Sequence, residues 1–276
     1  MRVLVPTDLS EAGLLVIEGL CASPAQPFER VVLLHVIELD LYTAGGSIPA
    51  IREWAGSELA EETRRLRERG FDASWRLEEG DAVETIERVA AEEEAGLVMV
   101  TSLGRNAAAR RLFGSTAERL AAAGDVPVLV DRVVQEAQVW CRLGSGTPFA
   151  RPLAAMDLEE EPERVPAVLA SLPAVESARV VHVAEDARAA VAARERLDAL
   201  VASHEAGAPW DAVVRRGDPV EGVLAEAEAF GATLLVVSPK VRGVERALRG
   251  SVSRRLAERS PVPVLFVPRP HPEAEA

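Results

Sequence analysis

The chain has 276 residues, 48% of them hydrophobic and 27% charged, which is room for one large domain or two small ones around a real core. With 44 acidic against 31 basic residues the net charge is −13, a balance that argues against non-specific nucleic-acid binding and against an anionic membrane surface. Cys21 and Cys141 make no disulfide framework and no CxxC pair. The N-terminus lacks a signal-peptide layout and no stretch is apolar enough to span a bilayer, so the expected location is the cytoplasm.

Taken in chain order, residues 2–6 are a short β-branched apolar run, read as a strand. Residues 10–22 have helical spacing with Ser10 as N-cap. Residues 31–37 form a continuous apolar run, as expected of a strand buried on both faces. Residues 53–69 read as a long charged amphipathic helix ended by Gly70, and 71–78 as a loosely alternating strand. Residues 81–94 are helical, 97–101 a strand, 115–123 a helix and 126–130 a last strand. Strands alternating with helices imply a parallel sheet covered on both faces, with right-handed crossovers.

The pattern then starts again. Gly80-Asp-Ala-Val-Glu84 returns as Gly217-Asp-Pro-Val-Glu221, and Val126-Pro-Val-Leu129 as Val262-Pro-Val-Leu265. Residues 100–130 set against 236–266 without a gap share 13 identities in 31 positions. VVLLHV at 31–36 matches ARVVHV at 178–183, and VLVPTD at 3–8 matches PLAAMD at 152–157, which sets Asp8 against Asp157. A period this long means a duplicated domain rather than a solenoid. The expectation is an α/β chain of two doubly wound parallel-sheet domains, copy one at 1–132 and copy two at 149–270, joined by a linker at 133–148. Copy two is shorter, chiefly through loss of the stretch 42–57.

Doubly wound sheets bind ligands beyond the carboxyl ends of their strands. In copy one those ends carry Pro6, Thr7, Asp8 and Ser10 after the first strand, Val36 in the second, and Val100, Thr101, Ser102, Gly104 and Arg105 around the fourth. Gly114, Ser115 and Thr116 open the last helix. A glycine permits close backbone approach, and a helix start offers free N–H groups to an anion, so a phosphate suits this place. Gly104 could bring a second backbone segment against it, with Arg105 as a charge partner.

These residues resemble the universal stress protein family in its tandem form. The family's ATP-binding members carry G-x2-G-x9-G-[ST], and copy one reads Thr101-x2-Gly104-x9-Gly114-Ser115. The resemblance extends to the P-T-D-x-S start and the L-L-H-V strand, and it covers nearly the whole chain twice. It implies an adenine nucleotide, ATP, across the strand ends. Asp8 and the backbone near Val36 would hold adenine; Thr101 and Gly104 would hold ribose and phosphates; Gly114, Ser115 and Thr116 would complete the phosphate cradle. A magnesium ion arriving with ATP would be held largely by phosphate and water. The resemblance also implies pairing of the two copies through the VPVLV and VPVLF strands, and a further homodimer of tandem chains. Bound nucleotide could then shift the population of domain arrangements.

Thr101 stands where the family has a glycine. In copy two the ungapped alignment sets Val237 and Lys240 against Thr101 and Gly104 and Glu159 against Ser10, while Gly250, Ser251 and Ser253 match the family better than copy one does. The site is therefore expected in copy one, with copy two open.

Plainer readings stand beside these. Ser115-x-x-Glu118 is also a capping box, and Asp8 could simply cap the first helix. His35 and His182 read as strand-end histidines rather than catalytic ones. The acidic runs 92–94 and 159–161 read as solvated surface. Trp54 and Tyr42 read as packing against the other copy, ahead of covering a ligand. No Walker A loop, GxGxxG after the first strand, GxSxG elbow or metal-ligand spacing occurs. A phospho-receiver needs a lysine after its fifth strand, and copy one has none. The functional expectation is an ATP-binding stress-response or signalling module without efficient catalysis. The alternatives are a nucleotide-independent interaction protein and a slow ATP hydrolase.

Overall fold

The computed structural model describes residues 1–22, 28–38, 47–101, 115–123, 125–131, 133–134, 137–138, 147–158, 164–203, 208–238 and 251–268. Copy one runs β1 (Arg2–Pro6), α1 (Glu11–Ala22), β2 (Arg30–Ile37), α2 (Ile48–Glu68), β3 (Ala73–Glu79), α3 (Ala82–Glu92), β4 (Leu97–Thr101), α4 (Ser115–Ala123) and β5 (Val128–Asp131). Two short strands, β6 (Val133–Val134) and β7 (Ala137–Gln138), follow and pair antiparallel. Copy two runs β8 (Pro152–Ala155), α5 (Arg164–Ser171), β9 (Ala178–Ala184), α6 (Ala187–Ser203), β10 (Trp210–Arg216), α7 (Pro219–Phe230), β11 (Leu234–Val237), α8 (Val252–Arg259) and β12 (Val264–Phe266).

The strands form one ten-stranded sheet in the order β10-β9-β8-β11-β12-β5-β4-β1-β2-β3. Each half has the doubly wound order 3-2-1-4-5, so each reverses direction between its first and fourth strands. Neighbours within a half are parallel, while β5 and β12 pair antiparallel: Val130 with Val264, Leu129 with Leu265, Val128 with Phe266. The repeat maps Leu129 onto Leu265, so a local two-fold axis passes through that pair.

Strand side chains alternate between faces. Val3, Val5 and Leu129 therefore join one core with Val16, Ile17 and Leu59 of α1 and α2 and Leu169 and Leu197 of α5 and α6. Leu4, Val128 and Val130 join the other with Ile86 and Leu120 of α3 and α4 and Val223 and Leu256 of α7 and α8. Both cores cross from one copy into the other.

The repeated Gly-Asp-x-Val-Glu is a strand-to-helix turn. Gly80 and Gly217 take φ of 140° and 116°, conformations that glycine alone adopts freely. Asp81 and Asp218 then cap α3 and α7, each accepting from two backbone N–H groups.

Some expectations change. Helix α2 begins at Ile48 rather than 53, so the stretch lost from copy two supplies its first turns. Trp54 lies on that helix and is 45% exposed, more than an interface anchor would be; Tyr42 lies outside the described residues. The run 92–94 is surface as expected, with Glu92 and Glu94 exposed, and it also meets arginines: Glu92 and Glu93 meet Arg76, and Glu94 meets Arg2. The run 159–161 lies outside the described residues. The end of the expected linker is anchored, because Thr147 is buried. Fully buried Phe149, the next copy's first residue, meets Phe28 edge-on at 5.9 Å. Among the described residues no helix is long and apolar enough to cross a membrane.

Candidate functional site

The switch in strand order in copy one lies between β1 and β4. Their parallel pairing covers Val3 with Leu97 and Leu4 with Val98 and goes no further, although β1 continues to Pro6 and β4 to Thr101. The cause is in the sequence. Thr7 donates its N–H to the Leu34 carbonyl at 2.8 Å, on the β2 side. Backbone N–H groups alternate along a strand, so residue 6 faces β4 with a proline, which has no N–H to give. The hydrogen-bonded ladder between the two strands ends where the sheet changes direction.

The turn after β1 is held by its own side chains. The Thr7 hydroxyl accepts from Leu9 N–H at 3.1 Å. Asp8 Oδ1 accepts from Ser10 N–H at 3.0 Å and from the Ser10 hydroxyl at 2.5 Å. The same hydroxyl accepts from Gly13 N–H at 3.1 Å, so Ser10 caps α1 as expected and Asp8 orients that cap. Gly13 is required here, since a Cβ would stand 2.5 Å from Asp8 Oδ1 and 2.9 Å from Thr7 Oγ1. Leu9 takes a left-handed φ of 57°, a strain of about 1–3 kcal/mol held by its surroundings.

His35 is buried and donates from Nδ1 to the Thr7 carbonyl at 2.8 Å. His182 does the same to the Met156 carbonyl at 2.9 Å. Both histidines therefore tie the second strand to the turn after the first, and the reading of them as structural is the one the geometry fits.

Of the residues expected at the site, Pro6, Thr7, Asp8, Val36, Val100 and Thr101 lie at the carboxyl ends of three neighbouring strands. Thr7 and Val100 are buried, while Asp8, Val36 and Thr101 are half-buried. Ser115 and Thr116 start α4. Ser102, Gly104, Arg105 and Gly114 lie outside the described residues, as do Lys240 and Gly250 in copy two. Residues 102–114 nonetheless carry Arg105, Arg110 and Arg111 and no acid, in a chain of charge −13. Two further residues border the place. Ala117 is buried at the position of Ser253, and Thr116 matches Val252, which is 37% exposed. Asp131 is fully buried, opposite Thr101 in the strand register. The acid closing an apolar VPVLV run was the signal for it.

Helix α4 is also tied to α3, because Arg119 bridges to the Asp81 cap. Hydrogen bonds from Arg119, then from Glu84 N–H, hold the Asp81 carboxyl below its ordinary value.

In copy two, β8 and β11 stay paired to Ala155 with Val237. Here Met156 donates to the Val181 carbonyl, and Ala155, at the position of Pro6, keeps an N–H for β11. The same registers correct the alignment. Leu235 pairs with Val264 as Val98 pairs with Val128, so Ser238 and not Val237 stands at the position of Thr101. The loop to Gly250 is thus one residue shorter than its counterpart. Asp157 is half-buried; Ser251 caps α8 by accepting from Arg254 N–H; the Ser253 hydroxyl donates to the Ser238 carbonyl at 3.4 Å.

Twice over, then, this is the doubly wound class of α/β domain, with a candidate ligand site at a topological switch point. The universal stress protein family matches residues 1–132 and 155–268, and the chain belongs to that family, in tandem form. Among solved structures it is similar to a universal stress protein from Archaeoglobus fulgidus, with 25% identity and a TM-score of 0.74, over 97% of this chain and 96% of that one. It is similar in fold to a functionally unknown protein from Pseudomonas aeruginosa, with 18% identity, a TM-score of 0.64 and 97% and 92% coverage. The cytoplasmic domain of a prokaryotic cation chloride cotransporter shares the fold at 17% identity and a TM-score of 0.54, over 96% and 94% of the two chains. No curated protein matches the sequence.

Proposed function

We propose that copy one binds an adenine nucleotide, ATP, beyond the carboxyl ends of β1 and β4, and that the protein is a nucleotide-responsive stress-response or signalling module. The observation that carries this reading is the early end of the β1–β4 ladder at Leu4 and Val98, where Pro6 offers no donor; in copy two the ladder runs on to Ala155 and Val237. Asp8 at the lip, the first turn of α4 and the basic composition of 102–114 suit a purine and its phosphates. Magnesium would arrive with the nucleotide, held by phosphate and water. Binding fits better than efficient hydrolysis, because His35 and His182 are both engaged through Nδ1 in holding the turns after β1 and β8.

The test is nucleotide content. Freshly purified protein is denatured, and released nucleotide is identified by mass spectrometry and counted per chain. One ATP per chain, absent from Gly114→Val, is the expected result. Two per chain would extend the site to copy two. No nucleotide, together with no ATP binding by calorimetry, would overturn the reading and leave a nucleotide-independent interaction protein.

A further inference from the structure

The seam between the copies has an apolar part and a charged part, and they carry different information. Its strands are nearly the same sequence, Val128-Leu-Val130 against Val264-Leu-Phe266. Apolar strands this alike pair with each other or with themselves about equally well, so they cannot decide which copy meets which. The charged part lies on the helices behind them. Arg254 of α8 donates from Nη1 to Glu118 Oε1 of α4 at 2.8 Å, with side-chain exposures of 19% and 18%. These two residues occupy the same position in the repeat: Leu120 and Leu256, two residues on, are core counterparts, as are Leu129 and Leu265 on the axis. A position that meets its own equivalent across a two-fold axis would face an identical residue in any like-with-like pair.

The supporting charges differ as well. Arg254 has a second carboxylate on its own helix, Glu258, at 2.8 Å. The position of Glu258 in α4 is Ala122, which is buried. Among the described residues Glu118 therefore takes its cation from the other copy.

We infer that Glu118 and Arg254 make this seam selective: copy one accepts copy two and rejects a second copy one. Two chains meeting through β5 would set Glu118 against Glu118 in a largely desolvated place, and two meeting through β12 would set Arg254 against Arg254. Any association of chains through this surface must then exchange copy one for copy two. The partner that the exposed half-seam fits is the unlike half of the same protein.

The test uses full chains carrying Cys21→Ala and Cys141→Ala, with Leu129→Cys to mark the axis. In a like-with-like pair the two introduced thiols meet, and a mild oxidant takes up their two electrons and two protons as the interchain disulfide forms. In the closed chain the introduced thiol meets Leu265 instead. The crosslink is measured with Glu118 and Arg254 intact and with Glu118→Gln and Arg254→Gln together. The expected result is a yield at least about fivefold higher once the charges are removed, well under the tenfold that 1.4 kcal/mol gives. Equal yields, or no crosslink in either, would overturn the assignment, since something other than this pair would then set the pairing. Thermal unfolding without the cysteine marker is the second measurement. Glu118→Arg and Arg254→Glu should each lower the midpoint by about 4 °C, and the double reversal should recover most of it. A double reversal that falls by the sum of the two would also overturn it.

Discussion

The two copies share a strand order, a cap motif, a histidine clasp and a seam, yet they end differently at the place where this fold binds ligands. In copy one the ladder between the first and fourth strands ends at Leu4 and Val98; in copy two it runs to Ala155 and Val237. One backbone donor, absent in Pro6 and present in Ala155, accounts for the difference. The turn beyond follows suit: Leu9 is left-handed, whereas Leu158, its counterpart, is not. A duplicated domain can thus keep its core while the hydrogen bonding at its switch point changes.

That contrast can be broken from both sides. The largest effect is expected from Ala155→Pro, which removes the last ladder bonds between β8 and β11 and should cost copy two about 3 kcal/mol. Chemical denaturation measures it, and an unchanged midpoint would mean that the proline is not what ends the ladder in copy one. Next is Pro6→Ala. Restoring the donor should extend the β1–β4 ladder and weaken ATP binding at least about tenfold, or 1.4 kcal/mol, by calorimetry; retained affinity would detach the ladder's early end from the binding. A smaller effect is expected at Gly222 of α7, where a Cβ would stand 2.8 Å from Val183 Cγ2. Copy one has Thr85 at this position. Gly222→Ala should destabilise by about 1 kcal/mol, the overpacking exceeding the gain in helix propensity.

The smallest effect concerns acid. Arg119, then Glu84 N–H, lowers the Asp81 carboxyl, and Glu221 N–H, Val220 N–H and Arg255 lower that of Asp218, both from an ordinary 3.8. A carboxyl depressed in the folded state adds stability above its unfolded value and loses it as pH falls through the folded one. Both caps should therefore weaken only below about pH 3.8, and Asp81→Asn, which keeps the cap acceptor, should flatten stability against pH there. An unchanged slope would show that the charge at this cap carries none of the acid sensitivity.

Much of this fold is legible in the sequence because its signals are local. The apolar runs at 2–6, 31–37 and 97–101 are strands where expected, and Gly-Asp-x-Val-Glu is a turn and cap in both copies. What misled was register. Leu-Val-Met-Val and Leu-Leu-Val-Val are interchangeable apolar strings, so an ungapped alignment slid β11 by one residue and set Val237 against Thr101. Only hydrogen bonds to β8 and β12 locate it. Glu118 was legible as part of a capping box, but its partner lies 136 residues away in another helix, and no local pattern points there. Trp54 was expected to pack against the other copy as an aromatic in a loop insert; it lies instead on a helix that begins early, and is 45% exposed.

The anchored end of the linker has one more consequence. Halves that met only by diffusion would assemble according to how much protein was present. Here Phe149 is fixed in the core against Phe28, and the chain leaving β5 must return to β12. The seam thus closes within one chain rather than between chains. Its closure is then independent of abundance, the same in a cell that makes a few copies as in one that makes thousands.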